Sequence, residues 1–245
     1  MVGLLVLTTT VLTLRHLPLQ DYPAHVFIME LDREVGGDHR YYQQPQTSVW
    51  GYSLVYTAAR YLAPVLSSDQ AARLMVLLSV VLLPLAAMSI ARASGSSAVW
   101  AGLLALPLAL SWPLKIGFIP YNLGLVPGLF AVGAAVRIHR RRRTLDVLVF
   151  ALCLVLTYLC HAVAFCAAGL AIALTLLLLG RSARGPVRTL LWLAAGTLPS
   201  LAIFLHDVLV GGFSPIPGTE TVLPRASLTF RSIANGLVAV FSRGY

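Results

Sequence analysis

The stretch LDVLVFALCLVLTYLCHAVAFCAAGLAIALTLLLLG, from Leu145 to Gly180, decides the fold. It runs for 36 residues with Asp146, near one end, as its only formal charge. As a single helix it would be about 54 Å long at ~1.5 Å per residue, whereas the hydrocarbon core of a bilayer is only about 30 Å thick. The run must therefore turn back on itself. Its flanks agree: Arg137, Arg140, Arg141, Arg142 and Arg143 precede it, and Arg181, Arg184 and Arg188 follow. Lys and Arg collect on the cytoplasmic side of membrane proteins. Two flanks on one side require an even number of crossings, so the turn is expected near the middle, at Cys160-His161, on the outer face.

The rest of the chain fits a lipid environment. Of its 245 residues 58% are hydrophobic and 11% charged, against roughly 45–50% and about 25% in ordinary soluble domains. The net charge of +9 would suggest nucleic acid in a soluble protein. Here the eighteen Lys and Arg residues sit mainly between apolar runs, so topology accounts for them and no nucleic-acid partner is implied. The three cysteines, Cys153, Cys160 and Cys166, share one apolar stretch without a Cys-x-x-Cys pair, as small buried residues do. The N-terminus has neither a basic region nor a small-residue cleavage site, so the first apolar segment is expected to be retained as a span.

Apolar segments at about 1–19, 72–91, 97–113, 117–136, 145–161, 162–180 and 189–206 predict an all-α, polytopic transmembrane bundle of about seven spans in a single domain over 1–245. Counting outward from His161 puts the N-terminus in the cytoplasm and the 20–70 loop outside. Lys115 and the 207–245 tail fall outside as well. Eight of the nine acidic residues fall on that outer side, only Asp146 lying within. Two segments of the first loop, Ala24–Val35 and Trp50–Leu66, carry the spacing of interfacial helices, the second with Trp50, Tyr52, Tyr56 and Tyr61. The chain is thus expected in a cell membrane, against lipid.

The candidate site is the exit from the first span, Pro18-Leu19-Gln20-Asp21-Tyr22-Pro23-Ala24-His25. A carboxylate and an imidazole four residues apart share one face of a helix and could share a proton or a cation. Asp21 is equally suited to cap that helix, with Pro23 in its first turn. His161 stands at the outer turn, where an ionisable group is a functional candidate. His206 and Asp207 close the seventh span. Prolines 107, 113, 120, 127 and 199 lie in or beside spans, where a lost amide donor either shapes a cavity or serves packing alone.

Taken together, the Asp21-x-Pro23-x-His25 motif, Gly117-Phe118-Ile119-Pro120-Tyr121-Asn122-Leu123-Gly124, the Arg-rich inner loop and Tyr158-Leu159-Cys160-His161 resemble bacterial membrane proteins related to the GT-C glycosyltransferases. The likeness is to the N-terminal part of such proteins. It implies an inner-membrane transferase taking sugar from a polyprenyl-phosphate carrier, with Asp21 as base or as ligand of a divalent cation, Mg or Mn. His25 and His161 are further catalytic candidates, and Lys115, Tyr121, Asn122, His206 and Asp207 candidate substrate contacts. Lys115, Arg33, Arg40 and Arg225 are the external cations that could face the donor phosphate. A second acidic motif in a later outer loop is not identifiable. The competing reading is a non-catalytic accessory or scaffold subunit among other membrane subunits. A secondary transporter finds no support, since no charge lies deep in a span and no inverted repeat is visible.

Overall fold

A computed structural model describes residues 2–14, 17–34, 53–141, 143–179 and 186–207. These residues form helices and no strand. In chain order they are α1 (Val2–Thr13), α2 (Tyr22–Glu34), α3 (Ser53–Leu62), α4 (Ser68–Ser94), α5 (Ala98–Ala109), α6 (Trp112–Ile116), α7 (Ile119–Arg141), α8 (Thr144–Cys160), α9 (Ala162–Leu179) and α10 (Pro186–His206). Among them, α4, the α5–α6 unit, α7, α9 and α10 are long and apolar enough to cross a membrane, which makes this a multi-pass membrane protein. Helices also occupy the other two predicted segments. There α1 has 12 residues and the apolar α8 has 17.

The Leu145–Gly180 run does fold back, and it does so at one residue. His161 has extended backbone, φ −167° and ψ 121°, between α8 and α9. Its ring Nδ1 accepts the amide N–H of Val163 at 3.1 Å, so the same side chain that ends α8 caps the start of α9. Both helices then run down α7 over its small residues. A Cβ on Gly124 would sit 3.1 Å from the Cβ atoms of Cys160 and Ala164, and one on Gly128 would sit 3.0 Å from Ala168 Cβ and 3.5 Å from Thr157 Cγ2. Glycines four apart let helices approach closely in lipid, where packing rather than water exclusion drives association. Gly128→Leu is expected to destabilise the bundle by about 1–3 kcal/mol through overpacking, read as a lower unfolding midpoint in detergent; an unchanged midpoint would mean that the helices separate freely.

Packing pairs fix the direction of the long helices. Gly196 on α10 faces Phe150 and Val147, while Phe204 and Asp207 reach Tyr158, so α8 and α10 run parallel. Gly133 on α7 meets Ser89 and Ile90 of α4, and Arg137 and Arg140 bond Ser89 and Ser94, so α4 and α7 are parallel too. One end of the bundle therefore gathers Asp21, the start of α4, Lys115, the start of α7, His161 and Asp207. The other gathers Arg92, Arg137, Arg140, Arg141 and Arg143. Helix α7 is the central one, with 67% of its apolar stretch buried, against 17% for α9.

Helix α2 overlaps the expected segment Ala24–Val35, and α3 covers the middle of the expected segment Trp50–Leu66; Trp50 and Tyr52 lie outside the described residues. Their apolar sides turn to protein: Met29 and Val55 are buried in the same core as Val76 and Val80 of α4. Polar bonds reinforce this seat. The Tyr22 hydroxyl donates to the Asp69 carboxylate at 2.8 Å, the Ser68 hydroxyl to Glu30, and Asp69 holds Arg73 at 2.6 Å. Arg73 in turn donates to the carbonyls of Val11 and Leu14 at the end of α1, where a cation complements the exposed helix C-terminus. A Ser67/Gln70 capping box opens α4, and Gly95, at φ +74°, closes it in the left-handed conformation. Pro107 and Pro113 bracket the break between α5 and α6, and Pro120 sits in the first turn of α7, where no amide donor is needed.

Candidate functional site

The short segment ahead of α2 is docked through its backbone. Gln20 N–H donates to the Lys115 carbonyl at 3.2 Å and Asp21 N–H to that of Ile116 at 2.8 Å. Both acceptors belong to the last turn of α6, whose carbonyls lack helical partners. Gly117 makes the approach possible: it holds φ +100°, and a Cβ there would lie 2.6 Å from Asp21 N. The two sequence motifs that carry the resemblance, at Asp21–His25 and at Gly117–Gly124, thus meet in space.

At this junction a cavity of about 450 Å³ is lined by Asp21, Ala24, His25, Ile28, Tyr56, Phe118, Pro120 and His161. The three residues proposed from sequence as catalytic share it. Among the described residues nothing donates a hydrogen bond to the Asp21 carboxylate, so the capping alternative is realised by the backbone alone, through His25 N–H to Asp21 O at 3.1 Å. The His25 ring is held by the Tyr56 hydroxyl, 2.8 Å from Nδ1. Burial pushes the His25 imidazole below its ordinary value, partly offset by the nearby Asp21 charge. Burial alone pushes His161 down to about 4, so both rings are neutral near pH 7. With Nδ1 of His161 accepting from Val163, its proton resides on Nε2, a donor on a cavity-lining ring.

The remaining candidates are dispersed. Tyr121 packs edge-on against His161 with ring centroids 5.3 Å apart and supports that ring from outside the lining. Asn122 is 3% exposed; its Nδ2 donates to the Phe118 carbonyl at 2.9 Å and its Oδ1 accepts from Ser111, so it braces the start of α7. Lys115 lies over the Trp112 ring at 5.7 Å and lines a separate cavity of about 350 Å³ with residues 17–20, Trp112 and Ile116. Asp207 bonds the Tyr158 hydroxyl at 2.5 Å, with His206 Nδ1 4.0 Å from its carboxylate; both are at the same bundle end but outside the Asp21 cavity. The side chain of Arg33, and Arg40 and Arg225 entirely, lie outside the described residues. Sequence reasoning missed Tyr56 as the partner of His25, and its only signal was an aromatic on a short amphipathic helix.

The described residues do not form a metal cage. No group of three or more His, Cys, Asp or Glu side chains gathers among them, and His25, the nitrogen nearest Asp21 in sequence, is engaged by Tyr56. Asp21 is a carboxylate of the kind that holds Mg or Mn together with waters and a substrate phosphate, and no second acidic side chain joins it in a cluster among the described residues.

The neutral state of His161 has a measurable sign. In the unfolded chain an imidazole titrates near ~6.5, and in the fold it titrates at about 4. Between those values the unfolded state binds a proton that the folded state does not, so stability falls as pH drops through the window and levels off below it. His25 adds to the same trend. Thermal unfolding in detergent is expected to show a smaller acid-induced drop in His161→Gln than in the parent; an identical drop would mean that His161 is protonated in the fold.

Compared with known protein families, with curated proteins and with solved structures, the chain matches none.

Proposed function

We propose that this chain is a GT-C-like integral membrane glycosyltransferase, or the N-terminal part of one, moving a sugar from a lipid-phosphate carrier to an acceptor on the outer membrane face. The observation that supports this most is the Asp21 carboxylate, without a described hydrogen-bond donor, on a cavity shared with His25 and His161. Its volume lies within the roughly 300–1,000 Å³ of small-molecule sites, and its walls include Ile28, Phe118 and Pro120, suited to a donor with a lipid tail. The arginine-rich opposite end supports the orientation proposed here, in which, by the positive-inside rule, that end and the N-terminus are cytoplasmic and the cavity end is external. On the same reading α1 and α8 complete seven crossings.

The chemistry follows from the groups present. Asp21 accepts the acceptor hydroxyl's proton as that oxygen bonds to the anomeric carbon. The bond from that carbon to the phosphate oxygen breaks, and the electron pair leaves with the lipid phosphate. A neutral His161, lining the same cavity, donates a hydrogen bond to the departing oxygen, since a fixed donor aimed at developing charge stabilises it. His25, held by Tyr56, keeps the Asp21 face of α2 in place.

The purified full chain in vesicles, given radiolabelled polyprenyl-phosphate sugars, is expected to transfer label to a lipid or glycan acceptor. No transfer with any donor, together with copurification of a stoichiometric partner that has its own active site, would make the chain an accessory subunit instead.

A further inference from the structure

At the bundle end opposite the Asp21 cavity, a larger cavity of about 700 Å³ opens between α4 and α7. Four arginines line it, Arg92, Arg137, Arg140 and Arg141, and no acidic residue does. Among the described residues, only one of these charges has a carboxylate partner. Arg137 donates to Asp146 at 2.8 Å and is steadied by Ser89. Arg140 gives one nitrogen to the Ser94 carbonyl, which orients it without cancelling its charge. Arg92 and Arg141 are exposed and have no carboxylate partner among the described residues.

We infer that this cavity binds the phosphate headgroup of an anionic phospholipid. Three guanidiniums without a carboxylate partner among the described residues, gathered in one concavity, suit a phosphate, which accepts paired N–H donors. Leu85, Met88 and Phe130 form its apolar wall. Leu85 is 44% exposed on a helix apolar enough to span the membrane, so the wall extends from the headgroup level toward acyl-chain depth. That continuity selects a lipid over free phosphate, and basic pockets between spans are known to take anionic headgroups. The inference stands apart from the transfer reaction, which uses the other end of the bundle.

Native mass spectrometry of the full chain in mild detergent, with phosphatidylglycerol or phosphatidylcholine added, tests it. Phosphatidylglycerol is expected to be retained about tenfold better. The Arg92→Gln/Arg141→Gln variant, which removes no bond between described residues, is expected to lose about that tenfold preference at an unchanged unfolding midpoint. Arg188→Gln, at the same bundle end but outside the cavity, is expected to keep it. Equal retention of both lipids, or an equal loss in Arg188→Gln, would reduce the arginines to general surface charge. Displacement of phosphatidylglycerol by millimolar inorganic phosphate would identify a free anion as the ligand and overturn the lipid assignment.

Discussion

Asp21→Asn is expected to lower sugar transfer by about 10²–10⁴-fold, the range typical of a lost general base, while leaving the unfolding midpoint where it was. The substitution is nearly isosteric, and among the described residues no hydrogen bond ends on the carboxylate. The bonds that seat this residue, its N–H to Ile116 and its carbonyl to His25, are backbone bonds that asparagine keeps. A second reading needs no substrate. The Asp21 charge raises the His25 pKa against the larger effect of burial, so its removal should move the His25 titration further down, measurable by NMR. Full transfer by Asp21→Asn would eliminate the proposed base. An unmoved His25 titration would instead show that carboxylate and ring do not face each other.

Gly117→Ala is expected to be costly in both stability and activity, for two separable reasons. At φ +100° any side chain is strained, at about 1–2 kcal/mol. The new Cβ would also lie 2.6 Å from Asp21 N and 3.0 Å from Asp21 Cα and Tyr22 N, and backbone cannot yield as a flexible side chain can. The segment bearing Asp21 must lift, breaking its bonds to the Lys115 and Ile116 carbonyls, for a combined loss of about 2–4 kcal/mol. A reactive group displaced by about 1 Å can lose ~10²-fold in rate. Gly95→Ala is the internal control: φ is +74° there too, but the nearest atom to a Cβ is the end of the Arg140 side chain at 3.4 Å. Equal losses of melting temperature in the two variants would mean that the close approach to Asp21 plays no part.

Much of the architecture was legible because lipid imposes simple rules. Length and flanking arginines alone located the reversal at Cys160-His161, and the sequence positions of charged residues sorted the polar groups to the two bundle ends that the packing pairs bring together. What the pattern could not give was rotation about each helix axis and the choice of neighbour. Asn122, in a motif read as a substrate contact, turns inward to Ser111 and the Phe118 carbonyl. Lys115, a plausible phosphate partner by side, lies over Trp112 in another cavity. Tyr56 meets His25 across 31 positions of sequence, and Arg73, at the mouth of an apolar run, ties α1 to Asp69. Hydropathy and charge report how deep a residue lies. Convergence depends on three-dimensional packing, which no local period encodes.

The one-residue reversal at His161 also bears on how the chain enters the membrane. A hydrophilic loop between two spans has to be carried through hydrocarbon, at a cost that grows with each charge and each unbonded peptide group. Between α8 and α9 there is almost nothing to carry. The imidazole is neutral near pH 7, it bonds the Val163 amide of the following helix, and the His161 N–H bonds the Thr157 carbonyl of the preceding one. On the seven-span reading proposed above, two apolar helices joined so tightly would enter the bilayer together as a closed hairpin.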